Sequence, residues 1–187
     1  MRLRVAFGAA MLALAGPLVL APTLAAGPGD PIVAARQASM KEMAAAAKAI
    51  AEMFGGKRGY EPVAFKAAAD TLSARTGAAL VAEFPQGTLG APSGARLEME
   101  EARPEFEALA RHIGRLADAL AAKAANAPAG ITADMRMTGP PMDGGSLLGK
   151  RPGAIEADPA TMPAEHLLHL ILQDCASCHS KFRRKIE

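Results

Sequence analysis

The sequence predicts an all-α protein, an antiparallel four-helix bundle with a long loop between the third and fourth helices. Three observations carry that expectation. Ala, Leu and Met dominate, β-branched residues are few, and no stretch alternates apolar with polar residues, so strands are disfavoured. Apolar residues recur at spacings of three and four in four separate stretches, the stripe that a bundle helix buries. Pro and Gly clusters fall between those stretches.

The chain starts with Arg2 and Arg4, continues in an acid-free apolar run from Val5 to Leu20, and passes through the small residues Thr23, Ala25 and Ala26. That is the pattern of a secretory signal peptide over residues 1–26, leaving a single domain at 27–187. Gly16-Pro17 interrupts the run, which argues against a membrane anchor, and no membrane span is expected once the signal is removed. Losing Arg2 and Arg4 takes the 21 basic side chains to 19, equal to the 19 acidic ones. The basic balance therefore belongs to the leader. With no Trp, one Tyr and no basic cluster interleaved with aromatics, nucleic-acid binding is not expected.

The first helix is expected from about Pro31 to Phe54, with Met40, Met43, Ala47, Ile50 and Phe54 on its inner seam and Gly55-Gly56 as its stop. A second should follow Pro62 and carry Phe65, Ala69, Leu72, Thr76 and Leu80 on one face, ending before Pro85. Residues 85–94 read as a connection. The third helix carries Phe106, Leu109, Ile113, Leu116 and Leu120, with Pro104 in its first turn or at a kink after a short lead from Arg96. From Asn126 to about Met162 the chain is rich in Gly and Pro, with Gly139-Pro140-Pro141 and Gly144-Gly145 at its centre. The expectation is a mobile cover rather than a packed element, whose Met135, Met137 and Met142 could reach a buried site. The last helix starts between Asp158 and Pro163 and presents Leu168, Ile171, Cys175, Cys178 and Phe182 on one stripe.

Chemistry concentrates at Cys175-Ala176-Ser177-Cys178-His179. A disulfide closing so small a loop would gain little, so some other chemistry should occupy the only two cysteines. Three apart on a helix, the cysteines share a face, so both sulfurs can add to the two vinyl groups of one haem. The histidine directly after them can bring a nitrogen under the iron. C-x-x-C-H is the attachment signature for c-type haem, and an export signal suits a group attached outside the cytoplasm. A thioredoxin-like pair would accompany a βαβ pattern, which is missing. Zinc could use His166 and His169 with the two cysteines, but one helix does not wrap them into a tetrahedron. His166 and His169 are therefore expected to be partly exposed helix residues, and His112 to lie on the outer side of the third helix.

The run Cys175-Ala-Ser-Cys178-His179-Ser-Lys-Phe182-Arg183 resembles the end of the fourth helix in the cytochrome c prime superfamily, C-x-x-C-H-x-x-F-[RK]. Arg36-Gln37-Ala38-Ser39-Met40 is similar to that family's first-helix segment, where the residue four positions after the arginine points at the distal haem face. The resemblance spans about Pro31 to Lys185. It implies a left-handed antiparallel bundle with one covalently attached haem c near one end and His179 as proximal ligand. It also implies Phe182 against the macrocycle and Arg183 close to it, facing a propionate or a proximal-side anion. Homodimers through the first two helices, as in many relatives, stay open. Two departures stand out: the 126–162 loop is longer than the family's, and the Trp common early in the third helix is replaced around Leu97–Met99.

Two functions follow. In the first, His179 and Met40 hold the iron six-coordinate and the protein exchanges electrons with redox partner proteins in the periplasm; Met at position 40 resembles the family's low-spin branch. Met43 is the alternative sixth ligand. In the second, the iron is five-coordinate and binds nitric oxide or carbon monoxide. No carboxylate pair, nucleophile triad or phosphate loop is recognisable, so an electron carrier is expected rather than an enzyme.

Overall fold

The computed structural model describes residues 30–137 and 157–184. The expected leader and the loop centre with its Gly-Pro-Pro, Gly-Gly and Met142 lie outside the described residues. Helix α1 is Pro31–Phe54. The Asp30 side chain accepts the Ile32 amide at 2.8 Å, Pro31 stands in the first turn, and the helix gives way to Gly55-Gly56, with Gly56 at φ +69°. Val33, Met43, Ala47, Ile50 and Phe54 are buried, while Met40 on the same seam is only half-buried.

The expected second helix is divided into α2, Pro62–Arg75, and α3, Ala78–Ala82. The break comes at Gly77, whose φ of +62° and ψ of −130° suit glycine alone. A Cβ placed on Gly114 would come within 2.7 Å of the Gly77 Cα, so two glycine backbones touch where the chain turns. The apolar period of the segment survives the kink, because Phe65, Ala69, Leu72 and Leu80 are all buried. Helix periodicity alone does not reveal the break, because the apolar spacing runs through it.

Helix α4, Arg103–Ala125, follows a 3-10 turn at Leu97–Met99 and has Pro104 in its first turn. Helix α5, Ala164–Phe182, follows a 3-10 turn at Pro159–Thr161 whose Ala160 amide is capped by the Asp158 carboxylate at 3.0 Å. The four long helices form a four-helix bundle, with α1 against α2, α2 against α4 and α4 against α5. Ile50, Phe65, Phe106, Ile113, Leu120, Leu167 and Ile171 meet in the core, each fully buried and each worth about 1.5–3 kcal/mol of hydrophobic stabilisation. The fourth seam is different. Helices α1 and α5 touch only sparsely, and the space between them is where the cysteine motif opens.

The start of the 126–162 segment corrects the expectation of a mobile cover. Met135 is 7 % exposed and belongs to the core. Next to it, Arg136 donates to the Phe54 carbonyl at 2.8 Å and pairs with Glu165, and the Met137 amide donates to Glu165 at 2.9 Å. These contacts lie where α1 finishes and α5 begins, the opposite end of the bundle from Cys175–His179. Met135 therefore packs away from the cysteine motif, held by polar contacts that hydrophobic periodicity does not register.

Candidate functional site

The C-terminal half of α5 carries Cys175, Cys178 and His179, and the N-terminal half of α1 faces it. Between them lie two cavities of about 420 and 290 Å3 that share Met40, Ala44, Cys178 and His179. Cys175 and Met43 line the smaller one; Arg36, Phe84, Phe182 and Arg183 line the larger. Joined at their shared residues, the cavities fall in the range of about 300–1,000 Å3 typical of cofactor clefts.

Both cysteines are free and half-buried. Burial pushes the Cys175 thiol up, aided by Asp174, and pushes Cys178 up to about 11, aided by Cys175 and Asp174. Each therefore stays a neutral thiol at ordinary pH. His179 is exposed on α5 and shifts the other way: desolvation by its surroundings and then the Arg183 charge lower its pKa, which favours the neutral imidazole with a lone pair available.

Phe182 is buried at the end of α5, with its ring edge-on to Phe106 at 5.8 Å; Phe106 in turn meets Phe84 at 5.1 Å. Three aromatic rings thus wall the larger cavity. Arg183 is exposed and caps α5 with extended backbone rather than continuing it by a turn, its amide donating to the His179 carbonyl at 3.1 Å.

Read from the sequence, residues 85–94 are a connection and Arg36 only opens the first-helix segment that leads to Met40. In the structure Arg36 is 4 % exposed and donates to the Glu83 carbonyl, the Thr88 hydroxyl and the Ser93 hydroxyl. An arginine on an inward-facing position between Val33 and Met43 was the available signal. His112 needs a correction as well. Instead of simply facing outward from α4, it is partly buried with Nδ1 2.5 Å from Asp174 Oδ2, next to Cys175. His166 is half-buried and His169 exposed, and among the described residues no three His, Cys, Asp or Glu side chains group as a metal site.

The cleft fits a covalently attached haem. Its walls are mostly aliphatic and aromatic, two neutral thiols stand three residues apart along it, and a neutral imidazole on α5 shares both cavities with a thioether on α1. Thiols suit vinyl addition, and imidazole with thioether is a donor set that haem iron accepts.

Solved structures of the same fold are similar over most of the chain. Cytochrome c' from Thermochromatium tepidum is 23% identical with a TM-score of 0.56, covering 83% of this chain and 95% of its own. A nitric oxide complex of a cytochrome c prime variant from Alcaligenes xylosoxidans is 19% identical with a TM-score of 0.55, covering 82% and 94%. A third cytochrome c', described as having an unusual ligand-controlled dimer dissociation, is 20% identical with a TM-score of 0.56, covering 83% and 95%. No curated protein matches. The family model described as Cytochrome C' matches residues 31–140, from the start of α1 through α4 and beyond it. That stretch is more than half of the chain and excludes the cysteine motif, so the motif and the family match are separate observations with one conclusion: the chain belongs to the cytochrome c' family.

Proposed function

We propose that the protein is an exported mono-haem c-type cytochrome that transfers electrons, with Cys175 and Cys178 bonded to the haem and His179 and Met40 as axial ligands. Proteins of this family bind one covalently attached haem c, and this chain has the two cysteines for it. The haem, when bound, supplies a one-electron couple. The observation that carries the finer reading is the position of Met40, which lines both cavities with His179 from the facing helix. A thioether on one wall and an imidazole on the other can keep the coordination number constant on oxidation and leave little room for external ligands. Phe84, Phe106 and Phe182 give the larger cavity apolar walls for the macrocycle, and the exposed Arg183 beside them would offer a cation to a propionate.

The leader at 1–26 sends the chain to the periplasm in this reading, as is typical of the family. Among the described residues no helix is long and apolar enough to cross a membrane. Redox partner proteins complete the function, and a second copy packing on α1 and α2 belongs to the same reading.

A second reading has a specific observation behind it: a structural neighbour is a nitric oxide complex. In it Met40 packs on the cavity wall without ligating, and the open iron face takes nitric oxide or carbon monoxide. The deciding experiment is the visible spectrum of protein matured in a periplasm, before and after Met40→Ala. One added haem that resists acid-acetone extraction, a low-spin spectrum with a methionine-to-iron band, and loss of that band in Met40→Ala support electron transfer. A high-spin wild type that binds carbon monoxide readily gives the second reading, and a band lost only in Met43→Ala moves the ligand one turn along α1.

A further inference from the structure

Helices α1 and α5 form the walls of the cleft yet scarcely touch each other. What joins them near the cleft is the strap of residues 83–96. On the α1 side Arg36 holds it at three points: Nε donates to the Glu83 carbonyl at 2.9 Å, Nη2 to the Thr88 hydroxyl at 2.9 Å, and Nη1 to the Ser93 hydroxyl at 3.0 Å. The guanidinium also lies 4.1 Å from the centroid of the Phe84 ring. On the α5 side, Ala95 pairs antiparallel with Arg183. There the Arg96 amide donates to the Phe182 carbonyl at 2.9 Å and the Arg184 amide to the Gly94 carbonyl at 2.9 Å. Arg36, Phe84, Ser93, Ala95 and Arg183 all line the larger cavity, so the strap spans the mouth it borders.

Burial disfavours the Arg36 charge, a cost that the Glu83 and Asp30 carboxylates partly offset, while its hydrogen bonds go to neutral acceptors. What Arg36 adds is geometry. Its planar fork reaches three acceptors spread along the strap at once, which a lysine cannot reproduce. Met40 stands four residues later on α1, one helical turn from the clasp, and a thioether bond to iron tolerates little change in the distance between the walls.

We propose that Arg36 is a positioning residue: through the strap it sets the spacing of the α1 and α5 walls, and thereby whether Met40 reaches the iron and how fast an external diatomic ligand enters. The inference rests on the reading of the cleft as the haem site. Its consequence differs from that of a purely structural clasp, because loosening the strap must change the iron's ligation as well as the backbone.

The test uses the holoprotein with Arg36→Lys, Arg36→Gln and the milder pair Thr88→Val with Ser93→Ala. Three properties are read: hydrogen exchange at the Gly90, Arg96 and Arg184 amides, the spin state of the iron, and the carbon monoxide association rate. The expected result for Arg36→Lys is exchange about tenfold faster at those amides, a shift from low towards high spin, and carbon monoxide association faster by about the same factor. The Thr88/Ser93 pair moves all three in the same direction by less, and carries the test if the Arg36 variants fail to accumulate haem. Wild-type exchange and ligation in the variants overturn the proposal, as does faster exchange with unchanged spin state and association rate. A high-spin wild type would remove Met40 as a ligand without touching the strap; the proposal then stands or falls on whether Arg36→Lys speeds both exchange and carbon monoxide entry.

Discussion

His112 Nδ1 lies 2.5 Å from Asp174 Oδ2, a contact that ties α4 to α5 one residue before Cys175. Both side chains are about one-fifth exposed, so the pair is only partly screened by water. His112→Ala removes the tie and leaves the Asp174 carboxylate without this partner. The expected cost is about 1–2 kcal/mol, read as a lower urea midpoint with an unchanged m-value. An unaltered midpoint would show that the His112–Asp174 contact adds no net stability to the α4–α5 seam.

Gly114 and Gly77 make a second cross-helix prediction. In Gly114→Ala the new methyl meets backbone rather than a flexible side chain, at 2.7 Å from the Gly77 Cα. Helix α4 must then move away from the α2–α3 kink, at a cost of about 1–3 kcal/mol. Thermal unfolding of the two proteins side by side checks this, and equal midpoints would mean that the bundle yields freely there.

The lowered pKa of His179 sets a pH dependence for the protein before haem attachment. A folded-state value below the ordinary histidine value means that the unfolded chain binds the proton more readily. This contribution to stability is therefore complete above the unfolded pKa of about 6.5 and is lost as pH falls through the lowered folded value. The haem-free chain should lose thermal stability on acidification through that window, and His179→Gln should lose less over the same window. Identical pH slopes in the two chains would contradict the shift.

Met135 and Met137, two positions apart, should differ in reactivity. Met135 is buried at 7 % exposure, whereas Met137 is 41 % exposed. Under limiting hydrogen peroxide, peptide mapping should find the sulfoxide at Met137 well before Met135. Equal rates would restore the expectation that the beginning of the 126–162 segment is a loose cover.

Much of the fold was legible because helix signals are local. Asp30 and Pro31 start α1 and Gly55-Gly56 ends it, and these are contacts within one turn that the order of residues specifies directly. Pro104 and Asp158 act in the same way at α4 and before α5. The Cys175-Cys178-His179 spacing likewise puts two sulfurs and an imidazole along one stretch of helix whatever surrounds it. The kink at Gly77 breaks a segment whose apolar period continues across it, and its close approach to the Gly114 backbone thirty-seven positions away is a contact that periodicity does not register.

By itself the sequence determined the helices, the breaks between most of them and the chemical groups of the motif, because capping, periodicity and spacing act over a few residues. Only the tertiary structure decided that α1 and α5 part to form a cleft, that Met40 shares it with His179, and that Arg36 reaches fifty-seven residues along the chain to Ser93. It also decided that Met135 packs at the far end and that His112 turns to Asp174. Those arrangements depend on which helix faces meet and on polar groups finding partners once water is excluded, and neither condition is written in the local order of residues.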